Sequence, residues 1–181
     1  MPSLINRMIR AAKLDVSLYE EVEADKSALG QAAAVVLISS IAAGIGAVSQ
    51  LGVRGIVTTA ILALLGWVVW AFLTYIIGTK LLPTPETKTD LPEMMRTIGF
   101  STSPGVLNVF GFIPFIGGFI ALIVAVWSFV AMVIAVRQAL DYTSTWRAVG
   151  VCLIGFIVYI IISMVLAGIV GTQDMMVPSA S

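Results

Sequence analysis

The sequence has no histidine, one cysteine and few charges, with ten Lys and Arg against ten Asp and Glu in 181 residues. Each shortage excludes something. Without histidine, and with Cys152 alone inside an apolar run, no imidazole base, activated thiol or Cys/His metal cluster can be assembled, and no disulfide can close within one chain. No acidic residue falls inside a predicted hydrocarbon segment, which argues against the buried relay that a proton-coupled transporter uses. A formal net charge of zero lacks the basic field that nucleic-acid binding requires. Accordingly no catalytic residue, metal or cofactor and no nucleic-acid partner is expected, and the chain is not expected to be an enzyme.

What the sequence does contain is apolar residue: 59% hydrophobic and 11% charged, with a mean hydropathy of +1.05. Soluble domains carry about a quarter charged residues. The chain is therefore read as an all-α polytopic integral membrane protein. Runs long enough to cross a hydrocarbon core of about 30 Å occur at Ala28 to Ser49, Ile56 to Thr79, Phe119 to Val136 and Ala148 to Gly171. A fifth, shorter run from about Gly99 to Phe115 is broken by Pro104, Gly105, Gly111 and Pro114, with Gly117 and Gly118 just beyond. If it crosses, nine of the ten Lys and Arg residues share one side, leaving only Arg54 on the other. The positive-inside rule then predicts five transmembrane helices, a cytoplasmic N-terminus and an outward C-terminal tail at 172–181. No signal peptide is evident, so the first span is expected to stay attached.

Lipid offers no partners for backbone groups freed by proline, so the broken third span is expected to be a short, kinked helix shielded by its neighbours, with Pro114 to Gly118 turning into the fourth. Small residues at four-residue spacing, Ser39, Ala43 and Ala47 in the first span and Ser163, Ala167 and Gly171 in the last, would let helices approach closely. Asn108 is the most polar residue of the broken span and the first candidate for contact with a solute. The tract TIGFS at 97–101 loosely matches a potassium-filter sequence. Ser101 in place of a glycine and Pro104 soon after exclude that reading.

Residues 1–27 form a separate N-terminal segment ahead of the membrane domain at 28–171. In SLINRMIRAAKL (3–14), Ser3 can cap a helix, and Arg7, Arg10 and Lys13 recur every three residues. That pattern predicts an interfacial amphipathic helix whose cations meet anionic headgroups of the bilayer. The following Glu20, Glu21, Glu23 and Asp25 form a solvated connector, a docking surface for a basic partner, or a clamp onto Arg96 or Arg147. DLPEMMRTIGF (90–100) opens with Asp90 and Glu93 at capping-box spacing and Pro92 early in the helix. Arg137 and Asp141 form an i, i+4 pair beside Trp146 and Arg147, read as interfacial anchoring. Trp67, Trp70, Tyr75 and Trp127 lie deeper, in core or lipid contact.

The tract PEMMRTIGFSTSPGVLNVFGFIPFIG and the following VRQALDYTSTWRAVGV resemble the membrane domain of the Yip (Ypt-interacting protein) family. The resemblance runs over roughly 66–171 and rests on R-x-x-G-[FY]-S-x-x-P at Arg96, Gly99, Phe100, Ser101 and Pro104, and on Pro114 followed by Gly117. LDVSLYEEVEADKSALGQAA is similar to the lead-in of bacterial members. The resemblance implies five membrane helices with a cytoplasmic N-terminus, in a bacterial cytoplasmic (inner) membrane. Eukaryotic relatives bind Rab-type GTPases in vesicle traffic. With only 27 residues before the first span, GTPase binding is not expected here. The expected role is a non-catalytic scaffold or accessory subunit that packs against other membrane subunits or a second copy of itself. The alternative is a small channel or permease for an uncharged or weakly polar solute, lined by the broken span.

Overall fold

The computed structural model describes residues 3–174, with side chains described as far as residue 165 apart from residue 163. The outward tail predicted at 172–181 therefore lies almost wholly outside the described residues, as do the side chains of Ser163, Ala167 and Gly171. The described residues form helices and turns only: α1 (Leu4–Ala12), α2 (Val16–Ala24), α3 (Ala28–Gly46), α4 (Val48–Ile76) extended by a π-helical turn (Ile77–Leu81), α5 (Leu91–Ser101), a 3-10 helix (Ser103–Phe112), α6 (Gly117–Ala139) and α7 (Thr145–Asp174). Within α4, Gly52 takes a positive φ of 65° and breaks the regular helix, a conformation that glycine adopts without a Cβ penalty.

Among the described residues, four helical stretches are long and apolar enough to cross a membrane: Ala28–Gly46, Val48–Leu81, Gly117–Ala139 and Thr145–Ile162. The broken third run takes another form. The short helix expected over residues 90–100 is α5, and the broken run that follows it is a 3-10 helix rather than a kinked α-helix. The start of α5 follows the sequence: Asp90 accepts the Glu93 N–H at 2.7 Å and Glu93 accepts the Asp90 N–H at 2.9 Å, a complete capping box. Pro104 at the start of the next segment removes one N–H donor, which favours a changed hydrogen-bond pattern there. The Ile113–Gly117 turn then reverses the chain, with the Gly117 N–H donating to the Ile113 carbonyl at 2.9 Å and Phe115 at a φ of 66°.

α5 and the 3-10 helix run alongside α3 from its first turns to its last. A Cβ on Gly99 would stand 2.7 Å from the Ala32 Cβ, Ser39 donates to the Thr102 carbonyl at 2.9 Å, and Gly46 lies against the backbone of Asn108 and Gly111. Only glycine allows that last approach. The buried core gathers at one end of the bundle, here the capped end. It contains Leu18, Tyr19 and Val22 of α2, Met94 and Phe100 of α5, Val136 and Leu140 of α6, and Val151 of α7. Toward the other end, α4, α6 and α7 turn large apolar side chains outward, among them Leu62, Leu65, Phe119, Leu122, Phe156 and Ile157. That is the distribution expected of helices whose solvent is hydrocarbon.

Candidate functional site

Below the core at the capped end, the helices part around a cavity of about 480 Å³. Its walls come from the middles of α3 (Val36, Ser39, Ser40), α4 (Gly66, Trp67, Trp70), α6 (Ala125, Ser128, Phe129) and α7 (Cys152, Phe156), with Ser101, Thr102 and Asn108 supplied by α5 and the chain beyond it. A second space of about 320 Å³ lies nearer the other end between Ala43, Gly46, Ala47, Gln50 and Gly118, and Asn108 borders both. Among the described residues no charged side chain lines either one. Nor do they hold a group of three or more His, Cys, Asp or Glu side chains that could bind a metal.

The cavity is polar only in a restricted way. Ser40 donates to the Leu37 carbonyl at 2.9 Å, Ser101 to Ile98 at 2.7 Å and Thr102 to Gly99 at 2.7 Å, while Ser39 donates to Thr102. These hydroxyl protons are committed to the backbone and leave oxygens that can still accept. Trp67 donates its indole N–H to the Met95 carbonyl at 3.0 Å, but the Trp70 indole nitrogen is buried with no partner. Trp70 is held at the α4–α7 seam by Tyr159, edge to face at 6.3 Å, and by the close approach of its ring to Gly155.

The residues of the R-x-x-G-F-S-x-x-P element divide between a structural joint and this cavity. Arg96 is 3% exposed and donates Nε to the Val22 carbonyl at 2.9 Å and Nη2 to the Glu23 carbonyl, placing a cation on the last carbonyls of α2. Gly99 brings α5 onto α3, and Phe100 and Pro104 are fully buried. Ser101 and Asn108 reach the cavity, and Gly117 lies too close to the Gly111 carbonyl to admit a Cβ, whereas a Cβ on Gly118 would meet nothing within 4 Å. Pro114 accepts the Ile116 N–H at 2.8 Å inside the turn.

The N-terminal cations are placed differently from the headgroup-facing stripe read from their spacing. Arg7 is 2% exposed and turned inward, donating to Glu21 at 2.9 Å, Asp25 at 2.8 Å and Gln31 at 3.0 Å. Arg10 bonds Asp15 and Glu21, and only Lys13 stays exposed. The reason is electrostatic: α2 carries the carboxylates, and α1 folds back on it with its charges toward them, leaving Ile5 and Ile9 outward. The acidic cluster is thus a clamp, closed by Arg7 and Arg10 on the carboxylates and by Arg96 on the α2 backbone; Arg147 instead reaches the Pro83 carbonyl at 3.4 Å. Hydrogen bonds from Ser27 and then from Arg7 hold the Asp25 carboxyl down at about 2. Burial, with the charges of Asp141 and Glu93 beside it, pushes Glu23 up to about 7.

Two features escaped the sequence reading. The 3-10 helix has a signal in plain view: Thr102, Gly105, Asn108 and Gly111 recur every third residue, and at three residues per turn they fall on one edge, the edge that meets α3. Trp70's unpartnered nitrogen has no sequence signal, because it depends on which helix stands opposite.

A helical bundle with several apolar helices long enough to cross a membrane points to a membrane protein. The Yip1 domain matches residues 17–166, and the chain belongs to that family. A search of curated proteins and of solved structures found no match.

Proposed function

We propose that this protein is a non-catalytic scaffold or accessory subunit of a larger membrane assembly, with its N-terminus and capped end at the cytoplasmic face of a bacterial inner membrane. The observation that supports this reading is how the Arg96 element is used. Its residues lock α2, α3 and α5 into one rigid cap through Arg96 on the α2 carbonyls and Gly99 on Ala32. Of the residues that resemble the family most closely, Arg96 and Gly99 thus serve to hold a shape, while Ser101 lies at the cavity. Such a cap presents Glu20, Glu86, Lys88 and Trp146 at the surface, a mixed polar face with an aromatic anchor of the kind that interfaces favour. The course of α5 and the 3-10 helix along the whole of α3 supports a fifth crossing. Extraction directly into lipid nanodiscs, followed by mass measurement, tests the role. Partner chains should accompany this one at fixed stoichiometry, and a lone chain or dimer would overturn the reading.

A second reading, a permease for an uncharged or weakly polar solute, is favoured by one observation: Asn108 borders both pockets, so a path joining them would pass it. Flux of small uncharged solutes into proteoliposomes, reduced by Asn108→Leu, would support it. Flux equal to that of empty liposomes would remove it.

A further inference from the structure

We infer that the α1–α2 hairpin is a re-entrant insertion in one leaflet of the bilayer, with Ile5, Ile9 and Val16 forming a surface for the upper acyl chains of lipids. It meets neither water nor headgroup charge along that edge, and this holds for a scaffold and for a permease alike.

The depth of α1 is set by two of its contacts. Arg7 reaches Gln31 in the first turn of α3, at the capped end, whereas five residues later the Ala12 carbonyl accepts the Trp127 indole N–H at 2.8 Å. Trp127 stands ten residues from the start of α6 and twelve from its end, about 15 and 18 Å on the helical rise. That is near the middle of a helix long and apolar enough to cross a membrane. An indole spans only a fraction of either distance, so the end of α1 lies well below the end of α6. There α1 also packs on the 3-10 helix that follows Thr102. α2 then returns to the capped end, where Glu20 meets Gln138 and Arg96 holds the carbonyls of Val22 and Glu23. The hairpin enters and leaves on one side.

The residues on its outer edge match that depth. Single exposed isoleucines are ordinary on a helix in water, but here the charges take the opposite side. Ile5, Ile9 and Val16 are 69%, 50% and 43% exposed, while Arg7 is turned inward and Arg10 is bonded to Asp15 and Glu21. Beside Trp127, Val126 and Val130 of α6 face outward too, so the apolar surfaces of hairpin and span meet at the Trp127–Ala12 bond. At the tip, Ser17 and Arg10 both donate to Asp15. Lys13 is exposed there, and its long stem can carry the charge back toward the headgroups. With Arg7 and Arg10 committed to carboxylates, insertion rests on apolar area and needs no anionic lipid.

The test places the full chain in nanodiscs of zwitterionic lipid, where headgroup charge cannot drive the contact. Nitroxides are attached at Ile9→Cys and Val16→Cys, each with Cys152→Ala, and compared with Val126→Cys, outward on α6, and Lys26→Cys, exposed at the capped end. Collision with oxygen, which concentrates among acyl chains, relative to collision with a water-soluble nickel complex should be at least about threefold higher at 9 and 16 than at 26, and close to the value at 126. A ratio at 9 and 16 equal to that at 26 would overturn the proposal by placing the hairpin in water. Low collision with both reagents would overturn it by showing a protein partner over this face, and spin–spin broadening would do so by showing a second copy. On the unaltered chain, a phospholipid with a diazirine high on one acyl chain should cross-link within residues 4–16. Cross-links in α6 with none in that segment would overturn the proposal equally, whether or not the labelled variants fold. Neither measurement depends on which chains co-purify or on solute flux.

Discussion

The indole nitrogen of Trp127 donates to the carbonyl of Ala12 at 2.8 Å, joining the middle of α6 to the last turn of the first helix across 115 residues of sequence. Helix carbonyls at a C-terminus have no partner within the helix, and this one is satisfied by another element. Near the end of α6, Gln138 donates to Glu20 at 3.0 Å. The α1–α2 hairpin is thereby fastened along α6 at two levels. Trp127→Phe should cost about 1 kcal/mol and raise hydrogen exchange in residues 4–16 more than in α5. Unchanged protection of α1 would show that the hairpin is held without this bond.

Arg7 should matter far more than Lys13. Arg7→Gln leaves Glu21 and Asp25 facing one another without their shared cation. Both are partly exposed, at 30% and 21%, which places the loss below the 3–5 kcal/mol of a fully buried pair, at about 2 kcal/mol. Lys13→Gln should be neutral within about 0.5 kcal/mol. The readout is Tm in detergent. A double variant, Arg7→Gln with Glu21→Gln, should be less destabilised than the sum of the single changes, and strict additivity would remove the pair as the cause.

Glu23 sets a slope with pH. Its carboxyl ordinarily loses its proton near 4.5 and does so at about 7 in the folded protein. Between those values the folded state holds a proton that the unfolded state has released, so this group's contribution to stability falls as pH rises from 4.5 to 7. Glu23→Gln should flatten that decline and stabilise the protein at pH 8 by about 1 kcal/mol, once screening of a partly exposed group is allowed for. Asp25, held down at about 2, acts oppositely: its contribution is present above pH 3.8 and lost as pH falls toward 2. A Tm difference between pH 5 and 8 that is the same in Glu23→Gln and the unaltered protein would contradict the assignment.

Gly117 and Gly118 should separate sharply. A side chain on Gly117 collides with the Gly111 carbonyl, while one on Gly118 meets open space. Gly117→Leu should therefore lower the detergent-stable fraction after heating by an amount corresponding to 2 kcal/mol or more, roughly the cost of overpacking combined with backbone movement, and Gly118→Leu should survive as the unaltered protein does.

Sidedness is testable at three positions. Phe115 is fully exposed at the turn where the 3-10 helix passes into α6, and Pro85 and Ser144 lie in the loops at the other end. Single cysteines at 85 and 144 should be shielded from an impermeant thiol reagent added to intact cells, and one at 115 should react. Labelling at all three, or at 144 alone, would be incompatible with a fifth crossing.

The sequence was most legible where a local rule decides the outcome. Asp90 and Glu93 form their capping box because both partners lie within one turn, and Pro114 to Gly117 make a turn because proline and glycine restrict or free the backbone by themselves. The four long apolar helices follow from length and composition. The direction of Arg7 was not legible, because three-residue spacing describes a stripe on α1 and says nothing of which side α2 will cover. Of the cavity's lining, the sequence singles out Asn108 as a candidate for solute contact and Ser101 through the family element. Trp70, Ser101 and Ser128 come from three helices, and their meeting depends on how far those helices stand apart.

The change from α-helix to 3-10 helix at Thr102 alters the arithmetic of distance. An α-helix advances about 1.5 Å per residue and a 3-10 helix about 2.0 Å. The eleven residues of α5 and ten of the 3-10 helix together reach roughly 36 Å on those rises. The ten residues of the 3-10 stretch reach about 20 Å, where the same ten wound as an α-helix would reach about 15 Å. Thinness comes with the same change: a slimmer coil with glycine on one edge fits the groove of α3, so Gly46 can meet the backbone of Asn108 and Gly111 directly.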